Sequence, residues 1–191
     1  METTKIDYKN ILYPPGGILL WILITLELIT FGVALIVMVI NSKDDPQLFH
    51  ESRLHLNATF GAMNTIFLLT SGFFMATTVH QYHQKDFKKA NFFLNITMLG
   101  GLLFLILKSV EYYMKIESGN TMGSNSFFTY YWLLTGFHVI HVIVGLMILL
   151  FLKRGLKRSE TETEDIEASA AFWHMCDLIW LILFPTLYLI L

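Results

Sequence analysis

Apolar residues gather into five long runs, at 17–40, 57–80, 92–114, 127–152 and 168–191, separated by short polar stretches. A helix crosses about 30 Å of hydrocarbon in about 20 residues, so each run is long enough to span a bilayer. In lipid only helices and closed barrels satisfy their own backbone groups. A barrel would show alternating segments of about ten residues, and these runs are unbroken. The pattern predicts an all-α, polytopic membrane protein: one domain over 1–191 with five transmembrane helices and no space for a separate soluble domain. The first run is read as a retained span, because it follows a polar, proline-bearing tail and lacks the small-x-small signature of a cleaved leader.

Composition agrees with that reading. The chain is 54% hydrophobic and only 15% charged, with a mean hydropathy of +0.56, which excludes an ordinary soluble domain. The net charge of -2 gives no reason to expect nucleic acid. Cys176 is alone, so there is no internal disulfide and no cysteine-based zinc site. Charge placement sets the orientation. Lys5, Lys9, Lys85, Lys88, Lys89, Lys153, Arg154, Lys157 and Arg158 fall on one face; Lys43, Arg53 and Lys115 fall on the other, joined by Lys108, which is expected to snorkel there. Nine cations against four put the N-terminus in the cytoplasm and the C-terminus outside.

Polar residues inside the runs carry the candidate chemistry. In the second run Asn57, Gly61, Asn64, Ser71 and Thr78 share one helical face; small and weakly polar residues so placed let helices approach closely and hydrogen-bond in lipid. Gly100, Gly101, Gly136 and Gly145 fit the same role. The acids Glu160, Glu162, Glu164, Asp165 and Glu167 precede the last run, where they favour a helix N-terminus. His80, His83 and Arg154 lie among cations at the cytoplasmic margin and are candidates for lipid headgroups.

Ionisable groups deep in hydrocarbon are costly and face protein or function. Glu27, near the middle of the first run, is either a hydrogen-bonded packing residue or a proton-binding or partner-contact site. Glu111, three residues after Lys108, is expected to form an interfacial ion pair beside a tyrosine belt, with an assembly contact as the other reading. His138 and His141 are three apart on the fourth helix. His174 and Asp177 are three apart on the fifth, where Trp173, Asp177 and Trp180 form an adjoining stripe. Two histidines on one helical face cannot sandwich a haem, but one of them with His174 could; a metal would need His138, His141, His174 and Asp177 to converge. A b-type haem electron carrier and a proton-coupled transporter centred on Glu27 therefore stand beside the reading that these groups lock helices together.

Four segments and one buried acid carry a resemblance. Thr135 to Gly145 reads T-G-F-H-x-x-H-V-x-x-G, and Phe172 to Trp180 reads F-W-H-x-x-D-x-x-W. These resemble the last two helices of the haem–copper cytochrome oxidase subunit III family. Glu27, the S-x-E-Y-Y of Ser109 to Tyr113, and Met63 to Gly72 match the family in place and order. The chain lacks the first two helices of the longer mitochondrial form, which resembles the five-helix bacterial version. The resemblance implies a non-catalytic accessory subunit of an oxidoreductase complex in a bacterial inner membrane, with haem and copper on partner subunits and none here. It implies contact with subunit I and other oxidase subunits, bound phospholipid, and support of proton uptake. By match, Glu27 would be the buried acid beside the catalytic subunit. His138, His141, His174 and Asp177 would form one polar interior, and Glu111 would brace the outer end. The accessory proteins of nitric oxide reductase share the five helices, and Tyr130 to Gly136 resembles theirs equally.

Overall fold

The computed structural model describes residues 16–158 and 161–190, without the side chains of Lys157 and Arg158. Lys5, Lys9, Glu160, Leu191 and those two cationic side chains therefore lie outside the described residues. Six α-helices follow in order: α1 (Ile18–Asn41), α2 (Pro46–Leu54), α3 (Ala58–His83), α4 (Phe87–Glu117), α5 (Ser126–Arg158) and α6 (Thr163–Pro185), with a π-helical turn at Thr186–Ile190. Five of them are long and apolar enough to cross a membrane, one for each predicted run.

Helix ends extend past the apolar runs because capping chemistry, rather than hydropathy, sets them. Asp86 accepts from the Lys89 amide at 3.1 Å and starts α4 at Phe87, five residues before the predicted edge. Glu162 and Asp165 form a capping box, so the acidic stretch opens α6 at Thr163 rather than 168. Pro185 lacks an amide hydrogen for the α-helical bond, and the chain continues beyond it in π register. The one helix absent from the sequence reading is α2. Asp45 caps it by accepting from Leu48 N at 3.2 Å, and Pro46 occupies its first turn. Its Phe49 packs edge-on against Phe127 of α5 at 5.7 Å.

Packing centres on α6, which lies against α3, α5 and α1, while α4 is zipped to α3 along its length. Glycines set these distances. A Cβ on Gly100 would stand 2.7 Å from Ser71 Cβ on α3, and one on Gly101 would stand 2.6 Å from the Trp173 ring of α6. α1 is the most loosely held member. It touches α6 and α5 but has no comparable packing on α3 or α4, and two cavities flank its contact with α5. One, of about 490 Å³, lies near the N-terminal end of α1 between Leu20, Phe151, Phe172 and the polar Thr161, Asp165 and Ser169. The other, of about 270 Å³, is walled by Thr30, Phe31, Ala34, Tyr130, Leu134 and Phe137.

Candidate functional site

The intramembrane ionisable residues occupy three separate seats. The first is at the end of the bundle that carries the C-terminus. Lys108 is 1% exposed, and its ammonium donates to Glu111 Oε2 at 3.1 Å, Tyr131 Oη at 3.1 Å and Tyr188 Oη at 2.8 Å. The two phenols in turn donate to Glu111 Oε1, at 3.0 and 2.6 Å. All three ammonium hydrogens and both carboxylate oxygens are thus engaged. The rings of Tyr131 and Trp180 stand 4.8 and 5.3 Å from Nζ, adding cation–π attraction. This corrects one expectation: Lys108 does not snorkel but is enclosed with Glu111 by the two tyrosines. The cause is Tyr188, about 80 residues further along the chain, which the π-turn brings over the pair.

The second seat joins α1 to α5. Glu27 Oε2 lies 3.3 Å from His141 Nε2, with the side chains 23% and 11% exposed. His141 Nδ1 stands 2.8 Å from the Phe137 carbonyl. A carbonyl can only accept, so Nδ1 carries a proton and the Glu27–Nε2 contact shares at most one more. Phe31 and Phe137 stack beside it at 5.4 Å. Nearer the end of α1, Asn41 donates to Tyr130 Oη.

The third seat joins α6 to α3. Trp173 Nε1 donates to Ser71 Oγ at 3.1 Å, Ser71 donates to the Thr97 carbonyl of α4 at 2.7 Å, and Trp180 Nε1 donates to Thr65 Oγ1 at 3.0 Å. Asp177 lies between the two tryptophans on the same face, so close to α3 that a Cβ on Gly72 would stand 2.2 Å from its Oδ2. His174 Nδ1 is 3.5 Å from that oxygen, but the imidazole is 43% exposed against 9% for Asp177.

The four residues expected to form one polar interior therefore divide. His141 turns to α1 and His174 looks out of the bundle. His138 is fully buried, with its ring centroid 5.3 Å from Trp180 and 5.5 Å from Phe104. Residues three apart diverge by about 60° around a helix, enough here to send them to different neighbours. Among the described residues no three His, Cys, Asp or Glu side chains converge on a metal position. Aromatic rings enclose His138, and His141 is engaged with Glu27.

The remaining candidates are mixed. Asn64 is fully buried on the α3 face, with neither amide atom hydrogen-bonded among the described residues. His83, a candidate for lipid headgroups, is half-exposed and also meets Glu167 of α6 at 3.3 Å. Glu167 itself is partly exposed. His80 is exposed, and Arg154 stacks over the Phe151 ring at 5.7 Å. Sequence reasoning missed Tyr131 and Tyr188; the only local signal was two phenols close to the same membrane boundary as Glu111.

Five apolar helices locked by buried polar contacts define a polytopic membrane bundle. A family model described as cytochrome c oxidase subunit III matches residues 56–190. The cytochrome c oxidase subunit 3 of Corynebacterium diphtheriae is 30% identical over 145 residues, covering 73% of this chain and 70% of that protein. The cytochrome bo(3) ubiquinol oxidase subunit 3 of Buchnera aphidicola is 28% identical over 174 residues, covering 89% and 84%. The cytochrome c oxidase subunit 3 of Petromyzon marinus is 35% identical over 129 residues, 66% of this chain but 48% of its own, so the chain spans about half the length of that relative. The chain belongs to the cytochrome c oxidase subunit III family.

Proposed function

We propose that the chain is a non-catalytic accessory subunit of a bacterial haem–copper terminal oxidase, lying against the subunit that holds the haem–copper centre. There it stabilises the assembly and supports sustained proton uptake. The observation that carries this is where the intramembrane ionisable groups go: Glu27 meets His141 across α1 and α5, Lys108 and Glu111 share Tyr131 and Tyr188, and Asp177 lies against α3 at Gly72, so they are spread among separate helix contacts. On this reading the redox centres belong to partner subunits and this chain holds no haem or copper. Its small ligand is phospholipid, with an acyl chain in the cavity of about 490 Å³ beside α1 and His80 and Arg154 near the headgroups. The N-terminus faces the cytoplasm and the C-terminus the periplasm of the inner membrane. The oxidase names of the relatives support an oxidase partner over a nitric oxide reductase.

The test is retrieval of the tagged chain from its native membranes in mild detergent. The expected result is co-purification of haem- and copper-bearing oxidase subunits with oxygen-consuming activity. Retrieval of nitric oxide reductase subunits, or of no redox protein, would overturn the proposal.

A further inference from the structure

The third seat is polar, deep in the membrane and incompletely covered. His174 is the twelfth of the 28 residues in the spanning segment Thr163–Ile190, which places it near the bilayer centre. There an exposed imidazole backed by a carboxylate is costly against lipid. It also lies on a regular stripe. Glu167, Ala171, His174, Leu178 and Leu181 follow one another at steps of four, three, four and three, and all five are exposed or partly exposed. That alternation repeats every seven residues, the period at which one helix presents a seam to another. On one side of the stripe Trp173, Asp177 and Trp180 reach α3; on the other Ala168 approaches Gly16 at the foot of α1. Since α1 and α3 both pack on α6 and not appreciably on each other, the stripe floors a groove between them. Its α3 wall includes Gly72, whose missing side chain leaves His174 Nδ1 within 3.4 Å of a Cβ position.

We infer that this groove seats a transmembrane helix of a neighbouring oxidase subunit, one that places a hydrogen-bonding side chain opposite His174. The polar complementarity argues for a helix over lipid, because an acyl chain can offer the imidazole nothing. Asp177 fixes the Nδ1 edge of the ring, leaving Nε2 to meet the partner. Ala171, one turn before His174, lets the incoming helix approach closely. The inference rests on the accessory-subunit reading and adds to it the face that docks.

Photocrosslinking in the intact membrane tests it. A benzoylphenylalanine is introduced at Leu178 on the stripe or, as control, at Leu99 on the exposed face of α4, and the tagged chain is then purified. The account expects Leu178 to yield a covalent adduct with an oxidase subunit and Leu99 to yield lipid adducts. In parallel, Ala171→Trp should reduce the oxidase subunits retained on the tagged chain at least tenfold, while Leu99→Trp leaves retention unchanged. If the wild-type chain retrieves oxidase subunits but Leu178 links only to lipid or to a second copy of this chain, the docking face is wrong and the accessory reading survives. If the wild-type chain retrieves no oxidase subunit, both fall.

Discussion

Lys108 and His174 are both intramembrane bases three residues from an acid on the same helix, yet their surroundings are opposite. Lys108 is sealed by Glu111, Tyr131 and Tyr188, with each ammonium hydrogen engaged inside the chain. His174 has one carboxylate at 3.5 Å and leaves 43% of its side chain exposed. The first arrangement is complete in the isolated chain. The second leaves hydrogen-bonding capacity over at a depth where water is scarce. The contrast separates groups whose hydrogen bonds close within the fold from a group that leaves capacity over, on the face inferred above to dock a partner helix.

The sharpest way to break the contrast is to remove one partner of the sealed cluster. Lys108→Met would leave Glu111 buried without a cation, a loss of about 3–5 kcal/mol, seen as collapse of folded yield in detergent. Lys108→Met with Glu111→Leu should recover most of it, since replacing both charges by apolar groups is nearly neutral; failure to recover would mean that the tyrosines depend on the charges. Next in size is the glycine-to-tryptophan packing at the third seat. Gly101→Ala places a Cβ 2.6 Å from the Trp173 ring, and overpacking of that kind costs about 1–3 kcal/mol, read as a lower midpoint of thermal unfolding.

Asp177→Ala probes the open seat. Removing the carboxylate should cost the isolated chain about 1 kcal/mol and lower its yield in the assembled complex further; wild-type assembly would contradict the role given to Asp177. Glu27→Gln keeps hydrogen-bonding atoms toward His141 and should change stability by less than about 1 kcal/mol, with normal insertion in the membrane fraction.

The smallest effect lies outside the spans, at Asp86. Its hydrogen bond with the Lys89 side chain holds its carboxyl below the usual carboxylate range, helped by the Lys89 amide. A depressed value in the folded state means that the contribution of this cap is present above the unfolded value and fades as pH falls through the folded one. The protection of the first-turn amides of α4, taken relative to their intrinsic exchange rates, should therefore fall only in acid, and Asp86→Asn should remove that dependence.

Much of the fold was legible because hydropathy acts locally: each of the five runs became a helix, and the stripe of Trp173, Asp177 and Trp180 faces one neighbour as its spacing requires. What was not legible depends on the chain meeting itself. Lys108 sits where a lysine commonly reaches for the interface, and only Tyr188, carried back by the turn after Pro185, encloses it. His138 and His141 looked like one site because their spacing says neighbour but not which helix stands opposite. α2 was missed because nine residues with mixed polarity show no membrane signal, although Asp45 and Pro46 mark its start.

The central claim is that the intramembrane histidines and acids join helices and subunits and hold no redox centre. The direct measurement is the absorption spectrum and metal content of this chain after it is stripped by detergent from the complex purified on its tag. The account predicts that haem absorbance and copper leave with the partner subunits and that the separated chain is colourless and metal-free. Stoichiometric haem or copper remaining on the chain, and lost in His174→Ala, would contradict it.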